Sequence, residues 1–320
     1  LFKNIMASLG HGGAKVDLVL EKTEYQLGEM VEGKLVIQGG KVEQQINKID
    51  VNFVASFYVK EHPYTQVVQS FPFHASFQIQ PSEVREFPFS YLLPTNLLLS
   101  SHTVSYYFDT NLDIASAVDH KDKDYISIVP EARLQNVIFA LEQLGFREQH
   151  DSRSFNGTVQ EFEFTPTSFL SGQAEEIEFV AMIEPEGIRL LLEVDMYTFI
   201  GEKEIKREIW LDNGLLSDPS SLAYYLQQQI EEMVHNPHSF QGYHGGYFYP
   251  QAGHSSSGGG SGVGTAAVAA IGGFAAGVVA AGIIDHLTDD SDDDDDDDEE
   301  EVDDSFDDDD FDDFFGDDED

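Results

Sequence analysis

The sequence contains no cysteine, which removes disulfide staples, thiolate catalysis and cysteine-ligated zinc from consideration. A cysteine-free chain fits a reducing compartment, and a cytoplasmic location is expected. Positive charge is scarce: 17 Lys and Arg stand against 60 Asp and Glu, a formal net charge of −43. Twenty-four of those acids lie between Asp289 and Asp320, yet the other 288 residues still carry a net −19. So few cations argue against nucleic acid as a partner, because a phosphate backbone is held by clustered Lys and Arg. They argue equally against attachment to anionic lipid by charge. Residues Leu1 to Gly10 hold no apolar run long enough for a signal peptide, so secretion is not expected. A Gly-x-Ser-x-Gly turn, a phosphate-binding loop and a dinucleotide fingerprint are all missing. The chain is not read as an enzyme: catalytic, cofactor-binding and metal-ligating residues are none.

What is present is alternation. Ile49, Val51, Phe53, Ala55, Phe57 and Val59 recur at a period of two, the mark of a half-buried strand. Shorter runs at residues 15–21, 31–38, 66–79, 85–92 and 103–108 are separated by Gly, Pro or Ser-rich breaks. This predicts an all-β, antiparallel sandwich over residues 1–130. Asp119 to Asp124 reads as a charged turn at the joint with a second unit, followed by a strand from Tyr125 to Val129 that Pro130 ends. Then the period changes. Leu134, Val137, Ile138, Leu141 and Leu144 keep helical spacing, with Gly145 placed as a C-cap. Strands return at residues 159–164, 177–183, 188–195 and 204–211, and Asp218-Pro219 opens a second helix. Residues 131–235 are thus expected to form a smaller β-sandwich with helices.

Three low-complexity pieces follow. Residues 236–261 read as a flexible linker rich in Gly, His, Ser and Tyr. Residues 262–284 are uncharged, with eight Ala and six Gly among 23 positions. As a helix this stretch would span about 34 Å, enough for a bilayer, but Ala and Gly supply little transfer energy. Membrane association through Gly262–Ile284, self-association into a homo-oligomer and a flexible spacer all remain open for it. Residues 285–320 form an acidic tail expected to be disordered. Its Phe311, Phe314 and Phe315 are out of place in a purely solubilising run, so they are expected to bind a partner protein.

Several ordered pieces carry a family resemblance. Gly13-Ala14-Lys15-Val16-Asp17, Tyr25 to Glu29 with Gly33, and Gly39-Gly40 with Val42-Glu43-Gln44 are the first. Phe87-Pro88-Phe89 with Leu93-Pro94, Thr110 to Asp113, and Asp119 to Ile126 follow. Leu144-Gly145-Phe146-Arg147 and Gln160 to Thr167 complete the set. Across residues 2 to about 211 the chain resembles the sporulation-control protein M (stage-zero sporulation) family. It departs from that pattern at Leu27 and His120, where proline is usual, and at Asn111, where glycine is; asparagine tolerates the left-handed backbone a turn there would need. The resemblance implies two tandem arrestin-like antiparallel β-sandwiches. It also implies a regulatory role at the onset of sporulation, with no catalytic residues to carry over.

The charged turn is the first candidate site. Calcium loops converge several oxygens around a glycine bend, whereas here Lys121 and Lys123 intervene and the glycine is missing. Asp113, Asp119, Asp122 and Asp124 instead read as an interdomain charge cluster, with Arg85, Arg133 or Arg147 as the countercharge. Ser100, Ser101 and His102 are adjacent in sequence, which is not the geometry of a triad. Asn156-Gly157-Thr158 reads as a turn. The favoured reading is a non-enzymatic adaptor that binds cytosolic proteins along exposed strand edges. The alternative is a membrane-associated or self-assembling scaffold held by residues 262–284.

Overall fold

The computed structural model describes residues 12–73, 76–198 and 201–236. Nine strands build the first unit: β1 (Lys15–Leu20), β2 (Glu24–Gln26), β3 (Met30–Gln38), β4 (Gln44–Val59), β5 (His62–Phe73), β6 (Phe77–Ile79), β7 (Val84–Leu92), β8 (Val104–Ile114) and β9 (His120–Val129). β1, β3 and β7 make a three-stranded sheet. The facing sheet runs β2-β9-β8-β4-β5, and β6 joins β4 beyond the end of β5. The alternation read from Ile49 to Val59 is the reason β4 lies at the centre, since each of those six side chains is buried. Aromatic rings seal the two sheets together. Phe108 lies 5.0 Å from Phe53 in its own sheet and 5.4 Å from Phe89 in the other, in an edge-on arrangement.

The second unit contains α1 (Ala132–Gln143), β10 (Phe146–Glu148), β11 (Ser154–Phe155), β12 (Gln160–Pro166), β13 (Ala174–Glu184), β14 (Gly187–Thr198), β15 (Gly201–Asp212), α2 (Asn213–Leu216) and α3 (Pro219–His235). Its strands form one antiparallel sheet, β10-β12-β13-β14-β15, with β11 paired to β12. The all-β class, the antiparallel pairing and the few short helices agree with the sequence reading. The layer packed on this sheet, however, is helical. Leu134, Val137, Ile138 and Leu141 of α1 and Leu222, Leu226, Ile230 and Met233 of α3 share one core with Phe162, Phe164, Phe179 and Leu192. Two apolar helix stripes cover a sheet face as well as a second sheet would. Asp218 caps α3 by accepting from the Ser220 and Ser221 amides, and Pro219 fills the first turn. Gly145 ends α1 at φ +90°; a Cβ there would lie 1.9 Å from the Ser168 hydroxyl oxygen, so no other residue fits.

The hydrogen bonds that hold the joint between the units are between uncharged groups. Gln160, fully buried, accepts from the Leu99 amide and donates to the Leu99 carbonyl, each at 2.9 Å, and also donates to the Arg153 carbonyl. Beside it the Phe155 amide donates to the Thr103 hydroxyl, and the Phe155 ring packs 5.6 Å from Phe57. Replacing Gln160 by Ala leaves the two Leu99 groups without partners in a dry place. Gln160→Ala is expected to lower unfolding stability by about 3 kcal/mol in a urea titration, against about 0.5 kcal/mol or less for exposed Gln38→Ala.

Candidate functional site

The charged stretch read as an interdomain turn is neither a turn nor at the joint. β9 begins at His120, eight residues before Ile128, the residue at its helix-side end that contacts Ser100. The period of two simply continues through the charges: Asp122 and Asp124 share the inward parity of Ile126 and Ile128, while Lys121, Lys123 and Tyr125 are exposed. Asn111 likewise lies within β8, extended and paired with Lys121, so the left-handed turn expected there does not occur. His120, standing where the family pattern has proline, accepts the Val16 amide on Nδ1 at 3.3 Å and so ties β9 to β1.

The five residues expected to cluster are dispersed. Arg85 pairs with Glu83 at 2.7 Å and stacks on Phe77, which leaves it engaged in β7. Asp113 accepts from Asn47, and Asp119 accepts the Ile114 amide as a turn cap. Arg133 holds Glu131, the Glu184 carbonyl and Asn213. Only Asp122 and Asp124 come together, and their companion is Asp17 on β1: one oxygen from each carboxyl lies within 4.8 Å of the others. Burial first, then Asp122 and Asp17, push the Asp124 carboxyl up to about 7. Asp17 is raised by burial and then by Asp122. Ser100 accepts the Ile128 amide and Ser101 the Thr103 amide, so both serve the joint rather than a triad. Asn156 accepts the Thr158 and Val159 amides, which makes the turn expected there.

Strand edges are the other candidate surface. Among the described residues β5, β7 and β15 each pair with a strand on one side alone. β7 carries Arg85, Glu86 and Pro88, and β15 carries Lys203, Glu204 and Lys206, which blunt an edge against strand addition. β5 has no such guard from Tyr64 to Phe71, eight residues without charge or proline. Its Val67 is 52% exposed.

Residues 2–198 match the SpoOM protein family. The chain belongs to that family. Among its members, the sporulation-control protein spo0M of Bacillus subtilis (strain 168) is 35% identical over 206 residues, which is 61% of this chain and 80% of the relative. The crystal structure of Spo0M, sporulation control protein, from Bacillus subtilis superposes with a TM-score of 0.53 at 31% identity. That match covers 70% of this chain and 98% of the solved one. The SpoOM resemblance read from the motifs is therefore shown, together with the β-rich fold. Among the described residues no helix is long and apolar enough to cross a membrane. Gly262–Ile284, Phe311, Phe314 and Phe315 lie outside the described residues.

This SpoOM-family chain carries a second acidic feature that the sequence reading passed over. On the solvent side of the second sheet Glu163 stands opposite Glu178, Glu178 opposite Glu193, and Glu193 opposite Lys206. Three like charges side by side across a sheet repel, and one lysine, 2.7 Å from Glu193, ends the row. Acids at every second position of three successive strands were the available signal, but only the register aligns them. Burial, then neighbouring acids, hold Glu163 at about 7; burial, then Glu204 and Glu176, hold Asp195 at about 6; Glu178 is raised by burial and then Glu193. A carboxyl raised on folding stabilises the fold while it is protonated, and that contribution is lost as pH climbs from about 4.5 through about 7. Melting midpoints are expected to fall between pH 5 and pH 8, and Glu178→Gln should flatten that slope and raise the midpoint at pH 8.

Proposed function

We propose that this chain regulates the onset of sporulation without catalysing a reaction, by binding other proteins through the open edge of β5. Membership of the SpoOM family and the sporulation-control name of its Bacillus subtilis relative support the sporulation setting. The unguarded edge carries the binding part of the reading. Tyr58 gives its amide to Thr103 on the far side, and its β5 partner is Pro63, which has none to give. In an antiparallel ladder, residues of the same parity as Pro63 turn their amides the same way. Thr65 and Val67 therefore present N–H groups outward, ready to receive a partner strand. Phe311, Phe314 and Phe315 in the acidic tail add a second contact that raises the effective concentration of the first.

The test is genetic and biochemical together. In sporulating cells lacking their own copy, Thr65→Pro and Val67→Lys block the edge while leaving the β4 ladder intact. Both variants should melt within a few degrees of wild type, lose the cross-linked partners that wild type captures, and return sporulation frequency to the deletion level. Wild-type sporulation from both well-folded variants would reject the β5 edge.

A further inference from the structure

We propose that Asp17, Asp122 and Asp124, together with the hydroxyl of Thr110, bind a divalent cation, calcium in preference to magnesium, at the seam between β1 and β9. The ligands come from three strands. Asp122 and Asp124 sit on the inward parity of β9, the exposed Asp17 joins them from β1, and Thr110 is the β8 residue directly opposite Asp122. Directly opposite residues of an antiparallel pair share a face, with their Cβ atoms roughly 5 Å apart. The Thr110 side chain is fully buried, yet its Oγ1 has no hydrogen-bond partner. Oδ2 of Asp122 and Oδ2 of Asp124 are shielded from solvent and equally unpartnered. Buried oxygens are rarely left this way, and three converging carboxylates beside an unpartnered buried hydroxyl call for a positive centre rather than one more acceptor.

The surrounding elements supply little of that centre: His120 lowers the Asp17 carboxyl, but its influence ranks behind burial and Asp122, which raise it. His120 spends Nδ1 on the Val16 amide. Lys123 lies over the outward Tyr107 ring at 4.4 Å, and Lys121 shares its exposed parity. Among the described residues no ion pair reaches any of the three aspartates. The acidic row on the second sheet differs here, since Gln149 donates to Glu176 and Lys206 pairs with Glu193. Carboxylate and hydroxyl oxygens are hard ligands, suited to calcium or magnesium. Oxygens up to 4.8 Å apart fit opposite sides of a calcium ion, with bonds of about 2.3–2.6 Å, better than magnesium with bonds of about 2.0–2.1 Å. An ion there would clip β1 to β9 and close the seam between the two sheets.

The full chain, stripped with EDTA, is melted with and without CaCl2 or MgCl2, beside Asp122→Asn/Asp124→Asn and Thr110→Val. Weak binding by the acids of residues 289–320 is common to all three proteins, so the difference between them reads the site. With calcium at about a hundredfold above Kd, the wild-type midpoint is expected to rise by about 5–10 °C, and by less with magnesium. The double variant should lose that rise, and Thr110→Val should need roughly tenfold more calcium, the loss of one neutral ligand. A wild-type midpoint indifferent to calcium, or one moved equally in the double variant, overturns the site. So does stability that answers to acid alone, which would mean that a shared proton holds the cluster. Should the double variant fail to fold by circular dichroism, Thr110→Val decides, and a calcium response equal to wild type overturns the proposal.

Discussion

The buried amide of Gln160 fastens the second unit to the first. It is an uncharged clasp: one side chain satisfies both backbone groups of Leu99 and reaches Arg153 as well. Amides suit this place because they donate and accept at once without carrying charge into a dry contact. The Tyr106 hydroxyl on Leu98 and the Ser100 hydroxyl under Ile128 extend the same arrangement, so the strand ends that meet the second unit are fixed by neutral hydrogen bonds. Salt and pH should therefore act on the two units separately and leave their joint largely alone.

Charge has been pushed to particular faces instead. Both units place carboxylates on strand faces that are neither wet nor fully dry, at Asp17, Asp122 and Asp124 in the first and along Glu163, Glu178 and Glu193 in the second. The raised affinity of Asp17, Asp124, Glu163 and Glu178 for protons has one cause in both places, desolvation first and neighbouring acids second. A fold with 36 acids against 17 bases before its tail cannot pair them all, and these rows are where the surplus accumulates. The difference between the two rows lies in what else is present: a lysine closes the second, and a buried hydroxyl faces the first.

Much of this was legible in the residues themselves. The β4 alternation from Ile49, the α1 stripe with Gly145 behind it, and the Asp218-Pro219 start of α3 are local signals, and each is where the pattern put it. The first half of β9 was hidden because its alternation is of charge sign rather than hydrophobicity, so a rule that looks for apolar residues stops at Tyr125. Gln160 was hidden because nothing local distinguishes a buried glutamine from an exposed one; its burial depends on a loop 61 residues away. The acidic row depends on register, which a pattern of period two leaves free by any even shift. The helical layer over the second sheet was visible as two apolar stripes, but where those stripes dock is a tertiary choice.

Among the described strands one pairing departs from the antiparallel rule of the fold. β2 runs parallel to the last residues of β9, with Tyr25 against Ile128 and Gln26 against Val129, and the Gln26 side chain donates from Nε2 to the Pro130 carbonyl. The polypeptide leaves β9 at that point to enter α1. A force drawn through the second unit would therefore tug β9 along its own axis, sliding it past β2 and β8 so that their bonds resist together instead of peeling one by one. The second unit is thus attached where its pull loads the first in shear.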